Sequence, residues 1–370
     1  MNVIQTEAGL DPGRLLFSGK THIPVRNLWL LMFYASELFA EDASVREAGM
    51  EESPDDLIDL ISEVLVTAAE RRLHRPLSRR YVAQQEDLSR VRGRIDHLQT
   101  YERNLQTRGR VACSFDELSV DHLLNQVITS GLIIAERASR NAGLRERAAT
   151  ARRTFHWSGV SRQFVSAAKA ESLTLGRNDE AERRCASAAR LLLQMGLLTE
   201  DIGTDRAVTP RLDIDRWRLI YEAAVRGFFH AVLQEPWRVR LAQEQHRWPL
   251  QDPSAGMARF MPTMETDVVL RRPGERIVIE TKFTSPISVH SQFGGQTFKR
   301  DHLFQLQTYL TTMARVPGER LTGVLLYPQV EDAVDMTAKV GAHTLRVKTI
   351  DLTGTSATIR DELLSVVAGA

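Results

Sequence analysis

At 370 residues the chain exceeds the size at which one hydrophobic core usually keeps growing, so two domains are expected. Its 43% hydrophobic and 26% charged residues are ordinary for a soluble globular protein, and no apolar run approaches bilayer-spanning length, which excludes a membrane protein built on helices. A net charge of only +1 excludes the global field of a strongly basic nucleic-acid binder, so any contact with DNA must come from local patches.

The opening MNVIQTEAGLDPGRLLF places acidic residues, Gly and Pro before any apolar stretch, unlike the basic-then-apolar order of a secretory signal. Cys113 and Cys185 make neither a disulfide framework nor a zinc cluster, so they are expected as small core residues in a reducing cytoplasm. From Asn27 to Phe39 the run NLWLLMFYASELF is apolar almost all round, which predicts a helix buried on more than one side. Leu57, Leu60, Ile61, Val64, Leu65 and Ala68 recur at helical spacing from Leu57 to Arg71, and Pro76 follows soon after. Arginines crowd the stretch from Arg71 to Arg94, where only Glu86 and Asp87 oppose them. A solvated or partner-binding face is the favoured reading there, and direct phosphate contact stays open.

The segments VRGRIDHLQTYERN and VACSFDELSVDHLLNQVITSGLIIAER read as short extended stretches leading into a helix from about Asp121, with Asp121 as its N-cap. Residues 176–208 carry a further helical pattern, AERRCASAARLLLQMG, closed by Gly196 and followed by the polar stretch TEDIGTDRAVTP as the expected linker. Beyond Pro210, Ile214 to Glu235 predicts a long amphipathic helix with Trp217, Ile220, Ala224, Phe228 and Val232 on one stripe, stopped by Pro236. Two strands, TDVVLRR and RIVIETKF, are joined by Pro273 and Gly274. DHLFQLQTYLTTMAR is a helix from an Asp301 cap, and GVLLYP is a short buried strand. This order calls for a sheet covered by helices. The expected class is α/β (α+β overall), with a helix-rich domain over 1–205 and a sheet-bearing domain over 206–370.

GRLLFSGKT, from Gly13 to Thr21, imitates the end of a phosphate-binding loop, but five residues separate its glycines where that loop has four, and no buried strand precedes it. Its backbone amides cannot then adopt the geometry that cradles phosphates, so nucleotide binding by this chain is not expected.

The hairpin across Pro273–Gly274 carries the chemistry. Opposed residues have numbers summing to 547, so Asp267 is expected to face Glu280, and Lys282 lies on the same face two residues on. One reading makes these the polar side of an amphipathic sheet. Against it, Ile277, Val278 and Ile279 form a run that looks buried on both faces. Two carboxylates brought together there would force one to protonate unless a cation sits between them. Oxygen-only ligands favour a hard ion such as Mg²⁺, which keeps waters and phosphate oxygens in its shell and thereby serves phosphodiester hydrolysis.

Asp, then Glu-x-Lys on the next strand, with a helix before and a helix and strand after, resembles the PD-(D/E)XK nuclease core. The blocks PVRNLWLLMFYASELF, GRIDHLQTYERN, SFDELSVDHLLNQVI, PTMETDVVL, IVIETKF, HLFQLQTYL and GVLLYP resemble, in order, those of the McrC family, from about Ile23 to about Leu364. The resemblance implies a central mixed sheet flanked by helices and an Mg²⁺-dependent DNA endonuclease with catalytic Asp267, Glu280 and Lys282. It implies a partner, an McrB-like AAA+ GTPase ring, that binds GTP and recognises modified double-stranded DNA, while the N-terminal region engages that ring and stimulates its GTP hydrolysis. Glu222 matches an acidic residue that such cores often add as a metal ligand. Gln305 and Tyr309 resemble a Gln-x-x-x-Tyr element of related nucleases and, with Lys299 and Arg300, are candidates for DNA contact. Arg26, Asn27, Arg92, Gly93 and Arg94 are candidates for the partner. The chain departs from the commoner pattern in its longer extension before Ile23 and in Glu280, where Asp is often found. Two other readings stand beside this one: a regulatory subunit that binds without cutting, and a stand-alone repair nuclease.

Overall fold

The computed structural model describes residues 14–17, 21–51, 56–200, 214–254, 256–289, 295–313, 316–330 and 332–368. Gly19 and Lys20 of the false phosphate loop, and the linker from residue 201 on, lie outside these. The chain forms two compact units, one of residues up to Leu60 together with those from Leu197 onward, the other from Ile61 to Gly196. The expected cut at 205 is therefore corrected: the N-terminal helices belong with the sheet-bearing unit.

That unit is built on a six-stranded mixed sheet in the order Asp335–Val340, His343–Ile350, Arg320–Pro328, Glu275–Thr281, Val268–Arg272, Arg238–Val239. The three strands from His343–Ile350 to Glu275–Thr281 pair in parallel, and the outer pairings are antiparallel. Parallel neighbours need a crossover, and the helix Arg300–Thr312 supplies it between Glu275–Thr281 and Arg320–Pro328. All seven residues of Glu275–Thr281 and eight of nine in Arg320–Pro328 are buried, which explains their unbroken apolar runs. Gly323 lies under the crossover helix, where a Cβ would come within 2.5 Å of Leu310 Cδ1. This helix begins two residues earlier than expected, with Lys299 rather than Asp301 at the N-cap and Asp301 in the first turn.

The helix Ile214–Val232 contacts the sheet strands Glu275–Thr281, Val268–Arg272 and Arg238–Val239. Its buried residues are Trp217, Tyr221, Ala224, Val225, Gly227, Phe228 and Phe229, so the stripe is rotated from the expected one and leaves Ile220 and Val232 only partly covered. The rotation follows from a second neighbour. The helix Val25–Tyr34 packs on it, with the rings of Tyr34 and Phe228 5.2 Å apart, which is why that helix is apolar all round. The expected single helix from Asn27 to Phe39 breaks at Ala35 and Ser36, where Ser36 Oγ accepts from Phe39 N (3.2 Å) and caps a second helix, Glu37–Glu41.

Asn27 is fully buried, and its amide donates to the carbonyls of Leu352 (2.7 Å) and Gly354 (3.0 Å). It ties the N-terminal segment to the C-terminal one and cannot reach a partner, which corrects its candidacy. Asn27→Ala leaves the buried Leu352 carbonyl and the partly buried Gly354 carbonyl without this donor. We expect a loss of about 1–3 kcal/mol, read as a fall of several degrees in thermal midpoint; an unchanged midpoint would contradict this anchoring role.

The second unit is helix-rich as expected. It holds the helices Leu123–Ala138 and Ala142–Trp157, most of Leu57–Leu73 and Glu180–Glu200, and a three-stranded antiparallel sheet of Arg80–Leu88, Val111–Ser119 and Arg94–Ile95. Ala142–Trp157 was not expected, because alanines at 148, 149 and 151 make up much of its buried stripe and give a weak apolar signal. Asp121 is not a cap: His122 holds that position, while Asp121 Oδ1 accepts from Gln126 Nε2 (2.9 Å) and Ser161 N (3.0 Å). Gly196 does not close its helix, which runs to Glu200. The arginine-rich stretch is partly neutralised within this unit, by Arg72 with Glu182 (3.1 Å), Arg80 with Asp179 (2.5 Å) and Arg92 with Glu117 (3.2 Å). Cys113 and Cys185 are buried and unbridged, and burial pushes the Cys185 thiol up to about 12. Among the described residues no helix is long and apolar enough to cross a membrane.

Candidate active site

The hairpin pairs as its two-residue turn dictates, from Arg272 opposite Glu275 to Val268 opposite Ile279. Pairing stops one step short of Asp267. Met264–Thr266 belongs instead to a separate two-stranded sheet with Glu244–His246, so Asp267 sits where the chain passes from one sheet to the other. There its Oδ2 accepts from Thr281 N and from Thr281 Oγ1, both at 2.7 Å. Arg226 Nε donates to the Asp267 carbonyl (2.8 Å) and holds the backbone at this junction.

Glu280 and Lys282 meet directly. Lys282 Nζ donates to Glu280 Oε1 (2.7 Å) and to Gln305 Oε1 (2.9 Å), and Gln305 Nε2 donates to the hydroxyl of buried Tyr309 (2.9 Å). An ammonium has three donors, so one remains for a substrate oxygen or a water. The structure thus brings Gln305 and Tyr309 to Lys282 as a hydrogen-bonded chain that orients its ammonium. Behind the site Phe283 packs against the rings of Trp217 (6.4 Å) and Tyr221 (5.5 Å).

The electrostatics mark this place. Glu280 is 2% exposed, and burial, then Asp267, push its carboxyl up to about 8 against the pull of Lys282. Asp267 is also raised, by burial above all, despite its bonds from Thr281. Glu280 Oε2 is buried with no hydrogen-bond partner among the described residues. An orphaned carboxylate oxygen beside a second strained carboxylate fits a divalent cation, which removes the repulsion that otherwise keeps a proton there. Among the described residues no three His, Cys, Asp or Glu side chains gather as a cage. Asp267 and Glu280 would therefore hold the ion, with its other positions left to water and phosphate oxygens, the habit of Mg²⁺.

Glu222 lies close enough for Asp267 to raise its pKa further, after burial. Its Oε1 is engaged by Arg226 and by Gln243 Nε2 (2.6 Å), so here it supports the clamp on Asp267. Lys299 Nζ donates to Thr284 Oγ1 (2.6 Å), and Arg300 is exposed at the start of the crossover helix. Arg26, Arg92 and Arg94 are exposed, Arg26 in one unit and the other two in the second, and the Arg92 guanidinium lies 4.0 Å from the centre of the Phe115 ring. Five contributors escaped sequence reading: Arg226, Thr281, Gln243, and His302 with Tyr327, whose Nδ1 and hydroxyl lie 2.9 Å apart. Burial first, then Lys282, push His302 down to about 4, so it adds no charge beside the lysine at neutral pH. Arg226 had a signal, four residues after Glu222 on one helical face; the others depend on contacts between distant segments.

A carboxyl whose pKa rises on folding stabilises the fold while protonated, and that contribution is lost as pH climbs from its ordinary range through about 8. Glu280→Gln removes the loss. Without metal we expect the variant to gain thermal stability over the parent between pH 7 and pH 9, by about 1 kcal/mol or more, and little gain at pH 4. Equal gains at both pH values would contradict a charged, strained Glu280.

Comparison with known proteins places this geometry in a family. The family model described as McrBC 5-methylcytosine restriction system component matches residues 17–328. The type IV methyl-directed restriction enzyme EcoKMcrBC of Escherichia coli K12 is 24% identical over 346 residues, covering 93% of this chain and 97% of that protein. Among solved structures, a half-complex from a tetradecameric assembly of Thermococcus gammatolerans McrB AAA+ hexamers with bound McrC matches at 15% identity. That match covers 93% of this chain and 76% of the other, with a TM-score of 0.39. A second structure, of the Thermococcus gammatolerans McrBC complex, matches at 17% identity over 50% of this chain and 60% of the other, with a TM-score of 0.32. With the matched span exceeding four fifths of its length, the chain belongs to the family of McrBC 5-methylcytosine restriction system components.

Proposed function

We propose that this chain is the endonuclease subunit of a modification-dependent restriction system, cutting double-stranded DNA with Mg²⁺ held by Asp267 and Glu280. The observation that carries the reading is the buried pair of carboxylates with an unpartnered oxygen beside a lysine that keeps a donor free. When bound, the cation supplies charge on the scissile phosphate and acidifies a water. The chain's own residues do the rest. Thr281 fixes the Asp267 carboxylate, and Arg226 with Glu222 fixes its backbone. Glu280, raised to about 8, would hold the cation only as the carboxylate, having released its proton to solvent. Lys282, oriented by Glu280 and by Gln305 on Tyr309, directs its remaining N–H at the phosphate oxygens, where negative charge builds as the attacking oxygen adds. Lys299 and Arg300 contact neighbouring phosphates.

The same reading assigns the chain an AAA+ GTPase partner that binds GTP and selects the modified base, with Arg26, Arg92 and Arg94 as the residues that touch it. It assigns the complex to the cytoplasm. Omitting components one at a time tests the whole: methylated plasmid is expected to be cut only with this chain, the partner, GTP and Mg²⁺ all present. Cutting by this chain and Mg²⁺ alone would instead make it a stand-alone nuclease.

A further inference from the structure

The strand that delivers Asp267 is one arm of a hairpin whose other end the proposed chemistry does not use. Glu244–His246 and Met264–Thr266 pair from Glu244 opposite Thr266 to His246 opposite Met264, leaving residues 247–263 as the connection. Hairpins need two to five residues to turn, and loops beyond about a dozen usually carry function. The base of this one is fixed: Trp248 packs against the core beside Met264, and its Nε1 donates to the Pro262 carbonyl (2.9 Å). The tip is bare. Phe260 is 80% exposed and Met257 44%, on a short helical turn Met257–Phe260, and the Arg259 guanidinium lies 5.6 Å from the centre of the Phe260 ring. Arg247 and Arg259 are exposed and make no ion pair among the described residues.

We infer that this tip is a DNA-inserting wedge: Phe260, backed by Met257, enters a base step of the duplex at the cleavage site, and Arg259 and Arg247 contact the flanking phosphates. The inference rests on the nuclease reading for its target. Phe, Met and Pro beside Arg are the side chains that pry base steps apart from the minor groove and hold the backbone around them. Position supports it as well. Phe260 is seven residues from Asp267, at most about 25 Å of extended chain. At about 3.4 Å per base pair, the wedge lies within about seven base pairs of the scissile phosphate, on the duplex the site must hold. The only carboxylate between Leu250 and Pro262 is Asp252, so the tip presents the Arg259 cation and the Phe260 ring with little to repel phosphate.

The test uses the full chain and a 20-base-pair duplex carrying three spaced 2-aminopurines, without divalent metal. Binding is read by anisotropy and unstacking by 2-aminopurine emission. Wild type is expected to bind and to raise emission. Phe260→Ala should lose the emission rise and bind about fivefold or more weakly. Arg259→Ala should weaken binding, and both variants should melt with the parent because they change exposed side chains. Absence of duplex binding by wild type, binding without a rise in emission, or a Phe260→Ala variant equal to wild type would each overturn the wedge. So would a Phe260→Ala variant that keeps both DNA signals but no longer stimulates the GTPase, which would place the tip against a protein. Cleavage with partner, GTP and Mg²⁺ is measured separately: cutting with an inert tip removes only this inference, while Phe260-dependent unstacking without cutting by any variant removes only the nuclease reading.

Discussion

Lys282→Ala is expected to cut methylated DNA about a hundred- to a thousandfold more slowly than the parent, with its fold intact. Among the described residues Lys282 is the one cation bonded to Glu280, and in the proposed mechanism its remaining donor serves the phosphate oxygens. Removing it does not strand a buried anion, because Glu280 is already raised to about 8 and, without Lys282 to lower it, keeps its proton at neutral pH. The metal-free variant should therefore melt within about two degrees of the parent near pH 7. Gln305→Ala releases the other side of the lysine and should cost less, about tenfold, since it disorients the donor without deleting it. A Lys282→Ala variant that cuts normally, or one that unfolds, would assign the residue a structural role.

The largest structural effect is expected at Gly227. A Cβ added there would stand 2.1 Å from the carbonyl oxygen of Tyr34, a backbone atom that cannot swing aside as a side chain does. Gly227→Ala must push the helix Val25–Tyr34 off the helix Ile214–Val232, opening the contact of Tyr34 with Phe228. We expect a loss of about 4 kcal/mol or more, seen as a drop in thermal midpoint of 10 degrees or so, or as insoluble protein. Cleavage should fall with it, because the same helix carries Arg226 and Glu222 to Asp267. A variant melting with the parent would show that the two helices separate without cost.

Much of the site is readable from the chain because its determinants are local. The two-residue turn at Pro273 and Gly274 sets the register from Arg272 to Val268, and the β-branched run Ile277 to Ile279 beside that turn reads as a strand covered on both faces. Gln305 and Tyr309 follow from helical spacing. What is not readable depends on partners far away in sequence. The turn of Asp267 toward Thr281 arises because the three residues before it pair with Glu244–His246. Asn27 looks like a surface residue in a matched block, yet its hydrogen bonds go to carbonyls more than three hundred positions on. The apolar girth of its helix announces burial but not against what. Asp121 has the residue type of a cap, but it is drawn instead to Ser161 and Gln126.

The most direct test of the central claim is cleavage of methylated DNA by the complete system with Mg²⁺ and GTP, comparing wild type with Asp267→Ala while GTP hydrolysis is followed in the same reaction. Asp267→Ala is expected to abolish cutting and to leave GTP hydrolysis by the partner at the wild-type rate. Unchanged cutting by Asp267→Ala would contradict that claim and move the active site elsewhere in the chain.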